Sequence, residues 1–222
     1  MIYPPPHDLP EVAEANGSHP WSPPRTYTSA ELLLWACDFH VSRYKLSRPL
    51  RLGNFVYATD GYVCVRYPES AFPGIESTDD DKPPPIEKLD WSFDRGIPLH
   101  APAFDSIPWP TWRAEREYRD CDCPECVCGQ HATGGWSWGE APGKPKPILP
   151  HPKAPKSYGV SLLSLWPVLA AGGKAYWSRN PARRLYAFLP DDGIALVVSH
   201  PILPLNPGNV QTLVRVPGVT HA

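Results

Sequence analysis

The sequence predicts an α+β fold in which helices pack on one face of antiparallel strands. Two observations support this prediction. A helix-like segment at 28–41 precedes two strand-like runs, and a second one at 161–171 precedes three more. Residues typical of turns separate the neighbouring runs, as they do between antiparallel strands. We therefore expect one folded unit that is built twice from a helix followed by strands.

The first half begins with a helix start signal. Thr28 and Glu31 have the spacing of a capping box, in which each side chain accepts from the backbone amide of the other residue. Strand-like runs at 54–58 and 62–67 follow, separated by a turn that contains Asp60-Gly61. An Asp-Gly pair between apolar runs predicts a hairpin, because glycine takes the required backbone angles at little cost.

The second half repeats this order. The apolar segment 161–171 predicts a short helix that bends or ends near Pro167 and stops at Gly172-Gly173. The turn residues that follow separate the expected strands at 174–179, 184–190, 193–199 and, as an edge strand, 210–216.

Proline sets the remaining boundaries. The chain has 31 prolines among 222 residues, about three times the usual share of roughly 5%, and proline is excluded from helix interiors and central strands. The basic, proline-rich segment 140–156 is typical of a stiff, extended linker. We expect a proline-rich tail at 1–27, a first half at 28–67, an irregular insertion at 68–157, a second half at 158–216 and a tail at 217–222.

Both halves resemble a known family. The phrase Tyr57-Ala58-Thr59-Asp60-Gly61, which follows a helix and Arg48-x-x-Arg51, looks like the helix-to-hairpin segment of bacterial DNA polymerase sliding-clamp domains. The segment from 161 through GIALVVSHPI looks like the other half of such a domain. The layout is also similar to uncharacterised phage and prophage proteins that pair a clamp-like frame with a cysteine-rich knuckle. The resemblance covers 28–67 and 158–202 and implies one clamp-like domain without catalytic residues.

The insertion contains a compact group of metal-ligand residues. Structural zinc takes four thiolate or imidazole ligands, and clustered cysteines in a reducing compartment are more often metal ligands than disulfides. The sequence therefore predicts a structural zinc site and leaves open whether the fourth ligand is a cysteine or the histidine; disulfides, free thiols and an iron–sulfur or redox centre are the alternatives. The candidate ligands are Cys121, Cys123, Cys126, Cys128 and His131.

Two groups of residues are candidates for a binding surface. Basic residues follow the first helix, and tryptophans near the cysteines offer rings for a partner protein or for stacking on single-stranded bases. These candidates are Arg43, Lys45, Arg48, Arg51, Trp136 and Trp138. A third group (Arg179, Arg183 and Arg184) near a strand turn has two interpretations, a solvated hairpin or a phosphate-contacting patch.

Composition and motifs limit the function. A formal charge of −2 argues against a protein that coats nucleic acid but permits a local basic face. The chain has no P-loop, no G-x-G-x-x-G and no G-x-S-x-G motif, and no base–nucleophile pattern predicts an enzyme. We expect no secretory signal and no membrane span, and hence a cytoplasmic protein of a bacterium or a phage-infected host.

The resulting functional hypothesis is a non-enzymatic, clamp-like binding protein, encoded by a phage or prophage, that acts in or near DNA replication. Its expected partners are DNA or a replication protein, and the sequence does not indicate a homo-oligomer. The alternative is a zinc-stabilised protein interaction module, or an inhibitor directed at a host protein, that does not bind DNA. A salt-dependent affinity for DNA would favour the first hypothesis.

Overall fold

The computed structural model confirms the α+β class, with two helices among the described residues and mostly antiparallel strands. It describes residues 18–20, 24–37, 48–75, 85–93, 96–109, 111–115, 137–140, 146–202, 211–214 and 216. The elements are β1 (Ser18–Pro20), α1 (Ser29–Trp35), β2 (Leu50–Leu52), β3 (Phe55–Thr59), β4 (Val63–Pro68), β5 (Ile97–Pro98), β6 (Thr111–Glu115), β7 (Ser137–Glu140), β8 (Lys146–Pro150), β9 (Tyr158–Ser161), α2 (Leu162–Ala170), β10 (Lys174–Trp177), β11 (Leu185–Phe188), β12 (Ile194–Val197), β13 (His200–Pro201) and β14 (Gln211–Leu213).

A seven-stranded antiparallel sheet forms the centre of the fold. Its strand order is β2-β3-β4-β12-β11-β10-β5. Two meanders, β2–β4 and β10–β12, therefore meet where β4 pairs with β12, with Val63 opposite Val197 and Arg66 opposite Ile194. Residues that are far apart in the sequence thus share one continuous sheet.

Two smaller sheets accompany the central one. A four-stranded sheet has the order β13-β9-β8-β14, in which β8 and β14 run parallel. A three-stranded sheet has the order β1-β6-β7 and is antiparallel throughout.

The main core lies on one face of the central sheet. Alternate residues of its strands, such as Val63 and Val65 on β4, point into this core. Both helices and the four-stranded sheet contribute fully buried side chains to the same core, and each such side chain contributes about 1.5–3 kcal/mol by leaving water. Examples are Leu32, Leu33, Val160, Leu162, Leu165 and Val168.

The opposite face of the central sheet is covered by the segment 85–93. Ile86, Leu89, Trp91 and Phe93 of this segment pack against a second cluster on the sheet. The Arg66 guanidinium lies 4.4 Å from the Trp91 ring centre and 4.6 Å from that of Phe55. This segment is part of the predicted irregular insertion, and it supplies one wall of the cleft described below.

The structure confirms the predicted capping box at Thr28 and the predicted turn at Asp60-Gly61. At α1, the Glu31 amide donates to Thr28 Oγ1 at 3.2 Å, and the Thr28 amide donates to Glu31 Oε2 at 2.7 Å. Between β3 and β4, Asp60 Oδ1 accepts from the amides of Tyr62 and Val63 at 2.8 and 2.7 Å. Gly61 has a φ of +87°, which suits a residue without a side chain.

Helix α2 does not end at Pro167, which was one of the two expected outcomes there. The helix continues to Ala170, and seven of its nine residues are buried. Proline costs a helix one backbone hydrogen bond, but Trp166 and Val168 on either side of Pro167 are both buried. Apolar packing thus holds the helical backbone through the proline.

The segment 140–156 differs from the predicted linker, because part of it forms strand β8. Ile148 and Leu149 are 4% exposed, and Ile148 pairs with Ser161 on β9. The Val214 amide donates to the Ile148 carbonyl at 2.8 Å. Proline has a φ that fits an extended chain, so two buried apolar residues are enough to fix a strand between prolines. The expected boundary at 157–158 lies inside the β8–β9 hairpin.

Candidate ligand-binding cleft

The predicted zinc ligands at Cys121, Cys123, Cys126, Cys128 and His131 lie outside the described residues. Strands β6 and β7 on either side of them form an antiparallel pair, with Glu115 opposite Ser137 and Ala114 opposite Trp138. Among the described residues, no group of three or more histidine, cysteine, aspartate or glutamate side chains is placed to hold a metal ion. Zinc in the loop between these strands stays a prediction.

The predicted basic surface after α1 is described only in part. Arg43, Lys45 and Trp136 lie outside the described residues, and of Trp138 only the backbone is described. Arg48 is exposed. Arg51 forms an ion pair with Glu69, at 3.1 Å between Nε and Oε1, and lies 3.5 Å from the Ile75 carbonyl. These contacts give Arg51 a role in fixing β2, and binding of a partner by this group stays a prediction.

The structure brings together a different group of residues around a cleft. The cleft lies where the segment 85–93 ends, beside β10, β11 and the turn that connects them, and has a volume of about 430 Å³. Its walls combine aromatic rings, hydroxyl groups and charged side chains. The lining residues are Asp90, Ser92, Phe93, Tyr176, Trp177, Ser178, Ala182, Arg183, Arg184, Tyr186, Leu196, Val198 and Ser199.

Phe93 organises the aromatic wall of the cleft. Its ring centre lies 5.0 Å from that of Tyr176, 5.0 Å from that of Phe188 and 5.7 Å from that of Tyr186. Tyr176 and Tyr186 are directly opposite each other on β10 and β11. Aromatic pairs prefer edge-to-face geometry, and the contacts of Phe93 with Tyr176 and Phe188 have it, so the rings pack as one cluster.

The charged side of the cleft comes from the turn between β10 and β11. The Asn180 amide donates to Ser178 Oγ at 3.2 Å, and Asn180 Oδ1 accepts from the Ala182 amide at 3.1 Å. These bonds fix the backbone from which Arg183 and Arg184 project, and both arginines are exposed. The turn thus contributes two consecutive arginines to the lining of the cleft.

Asp90 faces these arginines from the other wall. Its Oδ1 accepts from the Ser92 amide at 3.0 Å and from the Ser92 hydroxyl, and these bonds lower the pKa of the Asp90 carboxyl. Its Oδ2 lies 3.9 Å from Arg183 Nη1, and both side chains are 63% exposed. A pair this long and this exposed contributes little to stability, so both groups are free to contact a ligand.

Tyr186 is the one lining residue that combines deep burial with an unused polar group in the described structure. Tyr186 is 8% exposed, and its hydroxyl is buried without a hydrogen-bond partner among the described residues. Burial raises the pKa of Tyr186. The nearby Asp90 adds to this rise, and Arg66 opposes it. A buried hydroxyl without a partner costs free energy.

The polar lining of the cleft consists of carboxylate, guanidinium and hydroxyl groups. No histidine, lysine or cysteine stands among its described lining residues. The nearby Cys64 lies on β4 opposite Leu196, and burial raises the pKa of its thiol to about 12. A protonated, buried thiol is a poor nucleophile. The aromatic, hydroxyl and charged groups together can bind a polar ligand that has a ring.

Sequence reasoning found part of this cleft. All three arginines of the third group, Arg179, Arg183 and Arg184, are exposed, and the last two line the cleft. Their two interpretations, a solvated hairpin and a phosphate-contacting patch, both stay open, and nothing local connected these arginines with Asp90 or Phe93. The one local signal was the spacing of Asp90 and Ser92, which suits a turn in which aspartate accepts from an amide two residues on.

Comparisons with known proteins gave no match: no family model, no curated protein and no solved structure is similar to this chain. The functional argument therefore depends on the chain's own residues. Within the part of the chain that the structure describes, neither helix has the length and apolarity needed to span a bilayer.

Proposed function

We propose that this chain is a non-catalytic, clamp-like binding protein whose cleft binds single-stranded DNA. The observation that supports this most directly is the position of Arg183 and Arg184 beside the aromatic wall at Phe93 and Tyr176. Proteins that bind single strands combine basic groups for the phosphates with aromatic rings for the bases. A role in DNA replication in a bacterium or phage-infected cell, and a zinc-stabilised loop, belong to the same proposal.

The arrangement of the central sheet supports the clamp-like part of the proposal. Each meander follows a helix in the chain, α1 before β2–β4 and α2 before β10–β12. The two meanders join through their third strands, β4 and β12, and both helices contribute to the core on the same face. Apart from β5 at one edge, the strand order is therefore symmetric about the β4–β12 pair, and this supports the clamp-like part of the proposal.

The helices themselves do not offer a surface for DNA. Helix α2 has no basic residue, and seven of its nine residues are buried. In α1, the exposed residues include Glu31 and Leu34. We therefore place the DNA on the opposite face of the sheet, at the cleft, and propose binding without encirclement.

The energetics of such a site are modest. Stacking of one base on an aromatic side chain contributes about 1–3 kcal/mol, and two phosphate contacts give a slope of about −1.4 for log K against log salt concentration. The formal charge of −2 provides no general attraction for DNA. The affinity must therefore depend strongly on the two arginines of the cleft.

Fluorescence anisotropy with a labelled single-stranded oligonucleotide at several salt concentrations tests this proposal. The wild-type protein should bind with the shallow negative salt slope given above. The double variant Arg183→Ala/Arg184→Ala should lose most of the affinity and of the slope. The matched control is Lys153→Ala/Lys156→Ala, which removes the same charge from exposed positions in the β8–β9 turn.

The control variant shows whether DNA binding depends on the charges at the cleft or on the total charge of the protein. Equal losses in the two double variants would contradict a site at the cleft. Absence of any binding by the wild-type protein, together with salt-insensitive capture of a protein partner, would favour the interaction-module alternative instead.

A further inference from the structure

The volume of the cleft limits how much of a strand it accepts. At about 430 Å³ it is near the lower end of the roughly 300–1,000 Å³ typical of small-molecule sites. That space accommodates one ring system with one phosphate and does not accommodate a row of stacked bases. A protein that follows a strand needs an extended groove with several rings, whereas here Phe93, Tyr176 and Tyr186 form a single cluster.

The charges of the cleft indicate which phosphate it prefers. Two arginines, Arg183 and Arg184, and one carboxylate, on Asp90, line the cleft, and Arg183 lies 3.9 Å from that carboxylate. An internal phosphodiester has one negative charge, whereas a terminal phosphate has about −1.5 to −2 at neutral pH and three acceptor oxygens. Arginine forks bind such oxygens in pairs, so the doubly charged end group matches this site better.

The remaining polar groups suit the rest of a nucleotide. Among the described residues, the contact given for Asp90 Oδ2 is the distant one with Arg183, 3.9 Å away, so this oxygen can accept from an amino group or a sugar hydroxyl. The Tyr186 hydroxyl is buried without a partner among the described residues, and it donates to the ligand once the side chains that cover it move on binding. Phe93 and Tyr176 provide the apolar surface for a base.

We propose that the cleft binds a single nucleotide with a terminal phosphate, either free or at the end of a DNA strand. The phosphate contacts Arg183 and Arg184, and the base packs against Phe93. This inference rests on the cleft being the binding site of the proposed function, and it adds that the site recognises an end.

A binding series with DNA ends tests the inference. Four DNAs of one sequence are compared: linear strands with hydroxyl ends, with a 5′-phosphate or with a 3′-phosphate, and a covalently closed circle. One of the two phosphorylated strands should bind roughly tenfold more tightly than the hydroxyl-ended strand and the circle. A nucleoside monophosphate should compete, and the matching nucleoside should not. A circle that binds as tightly as both phosphorylated strands would overturn the inference.

The binding series with DNA ends distinguishes DNA binding by the cleft from recognition of a terminal phosphate. If the circle binds well and Arg183→Ala/Arg184→Ala abolishes that binding, DNA binding by the cleft stands and end recognition fails. If only the free nucleoside monophosphate binds, recognition of a terminal phosphate stands, whereas binding of a DNA strand, and of its end, fails.

Tyr186→Phe provides a variant that should leave folding intact, because the hydroxyl it removes has no partner among the described residues. Loss of one hydrogen bond should weaken competition by the nucleoside monophosphate roughly three- to tenfold. An unchanged inhibition constant would overturn the placement of the nucleotide against β11.

Discussion

His151 Nε2 lies 2.9 Å from the carbonyl oxygen of Ser178, and this contact joins the β8–β9 hairpin to the floor of the cleft. The other ring nitrogen, Nδ1, accepts from the Lys153 amide at 3.1 Å. A carbonyl only accepts, so Nε2 carries the proton and the ring is neutral. Both nitrogens are engaged, and the ring is 1% exposed and packs against Trp177.

This arrangement predicts that the protein loses stability in mild acid. Burial is the main cause that lowers the pKa of His151 below its ordinary value of 6.5, and the nearby Lys153 adds to it. Below pH 6.5 the unfolded chain therefore binds a proton more readily than the folded one. Above pH 6.5, titration of His151 should not change the free energy of unfolding. Below pH 6.5, the free energy of unfolding should fall as the pH decreases.

Urea unfolding at pH 5, 6 and 7.5 measures the effect. The variant His151→Gln should be less stable at pH 7.5 but should show a smaller decrease in stability toward pH 5. The exposed His100 gives the matched control, since His100→Gln should keep the wild-type decrease. If His151→Gln and the wild-type protein lose the same free energy between pH 7.5 and 5, His151 does not titrate as described.

Gly193→Ala should destabilise the protein by about 1–3 kcal/mol, as overpacking of a core does. A Cβ at this position would lie 2.2 Å from Tyr67 Cε1 and 2.6 Å from Cδ1. The Tyr67 ring is fully buried and packs edge-to-face on Phe72, so it has little room to move. Thermal or urea unfolding measures the change.

Gly74→Ala is the control for this variant, because a Cβ at Gly74 meets nothing within 4 Å. Its stability should remain within about 0.5 kcal/mol of the wild type. Equal effects of the two substitutions would show that the contact of Gly193 with Tyr67 is not the cause.

Asp192→Gly should stabilise the protein by about 0.5–1 kcal/mol. Asp191 and Asp192 both have positive φ, +56° and +55°, and the Gly193 amide donates to the Pro190 carbonyl across the turn. Two central residues of this kind form a type I′ turn, which favours glycine, and a left-handed conformation costs a residue with a side chain roughly 1–2 kcal/mol. Asp191 is left unchanged because it accepts from Ser29 Oγ at 2.7 Å.

Asp192→Ala separates the backbone effect from the loss of charge. This variant also lacks the carboxylate but keeps a Cβ, and it should not be more stable than the wild type. Unfolding free energies of the three proteins measured in urea give the comparison. A gain of equal size in the alanine variant would assign the effect to charge.

The features that the sequence predicts well are local. The capping box needs only Thr28 and Glu31, and the hairpin turn needs only Asp60 and Gly61, so in each case the pattern and its structural consequence lie within a few residues. Strand β8 was missed for the same reason. Its prolines are a strong local signal for a linker, whereas the burial of Ile148 and Leu149 depends on β9 and β14.

The cleft could not be predicted, because its parts meet only through the order of strands in the central sheet. Asp90 and Arg183 are separated by more than ninety residues, and nothing in the pattern of either segment specifies the other. Tyr186 is an alternating aromatic residue in a strand, and its unpartnered hydroxyl becomes visible only when the neighbouring elements are in place.

The zinc prediction extends the same argument to the loop between β6 and β7. Backbone pairing of Glu115 with Ser137 brings the two ends of the loop together. Four thiolate or imidazole ligands within the loop would then add binding free energy on the order of 10 kcal/mol to its folding. Native and denaturing mass spectrometry should differ by the mass of one zinc ion per chain.

Substitution of the central pair tests the ligand set. Cys123→Ser/Cys126→Ser should abolish the mass difference, whereas Cys64→Ala should preserve it, because Cys64 is buried in strand β4. Single variants at Cys121 and His131 identify the fourth ligand, since only the true ligand should lower the zinc content when replaced. Full zinc content in Cys123→Ser/Cys126→Ser would contradict this ligand set, because a tetrahedral site cannot lose two of its four donors and keep structural affinity.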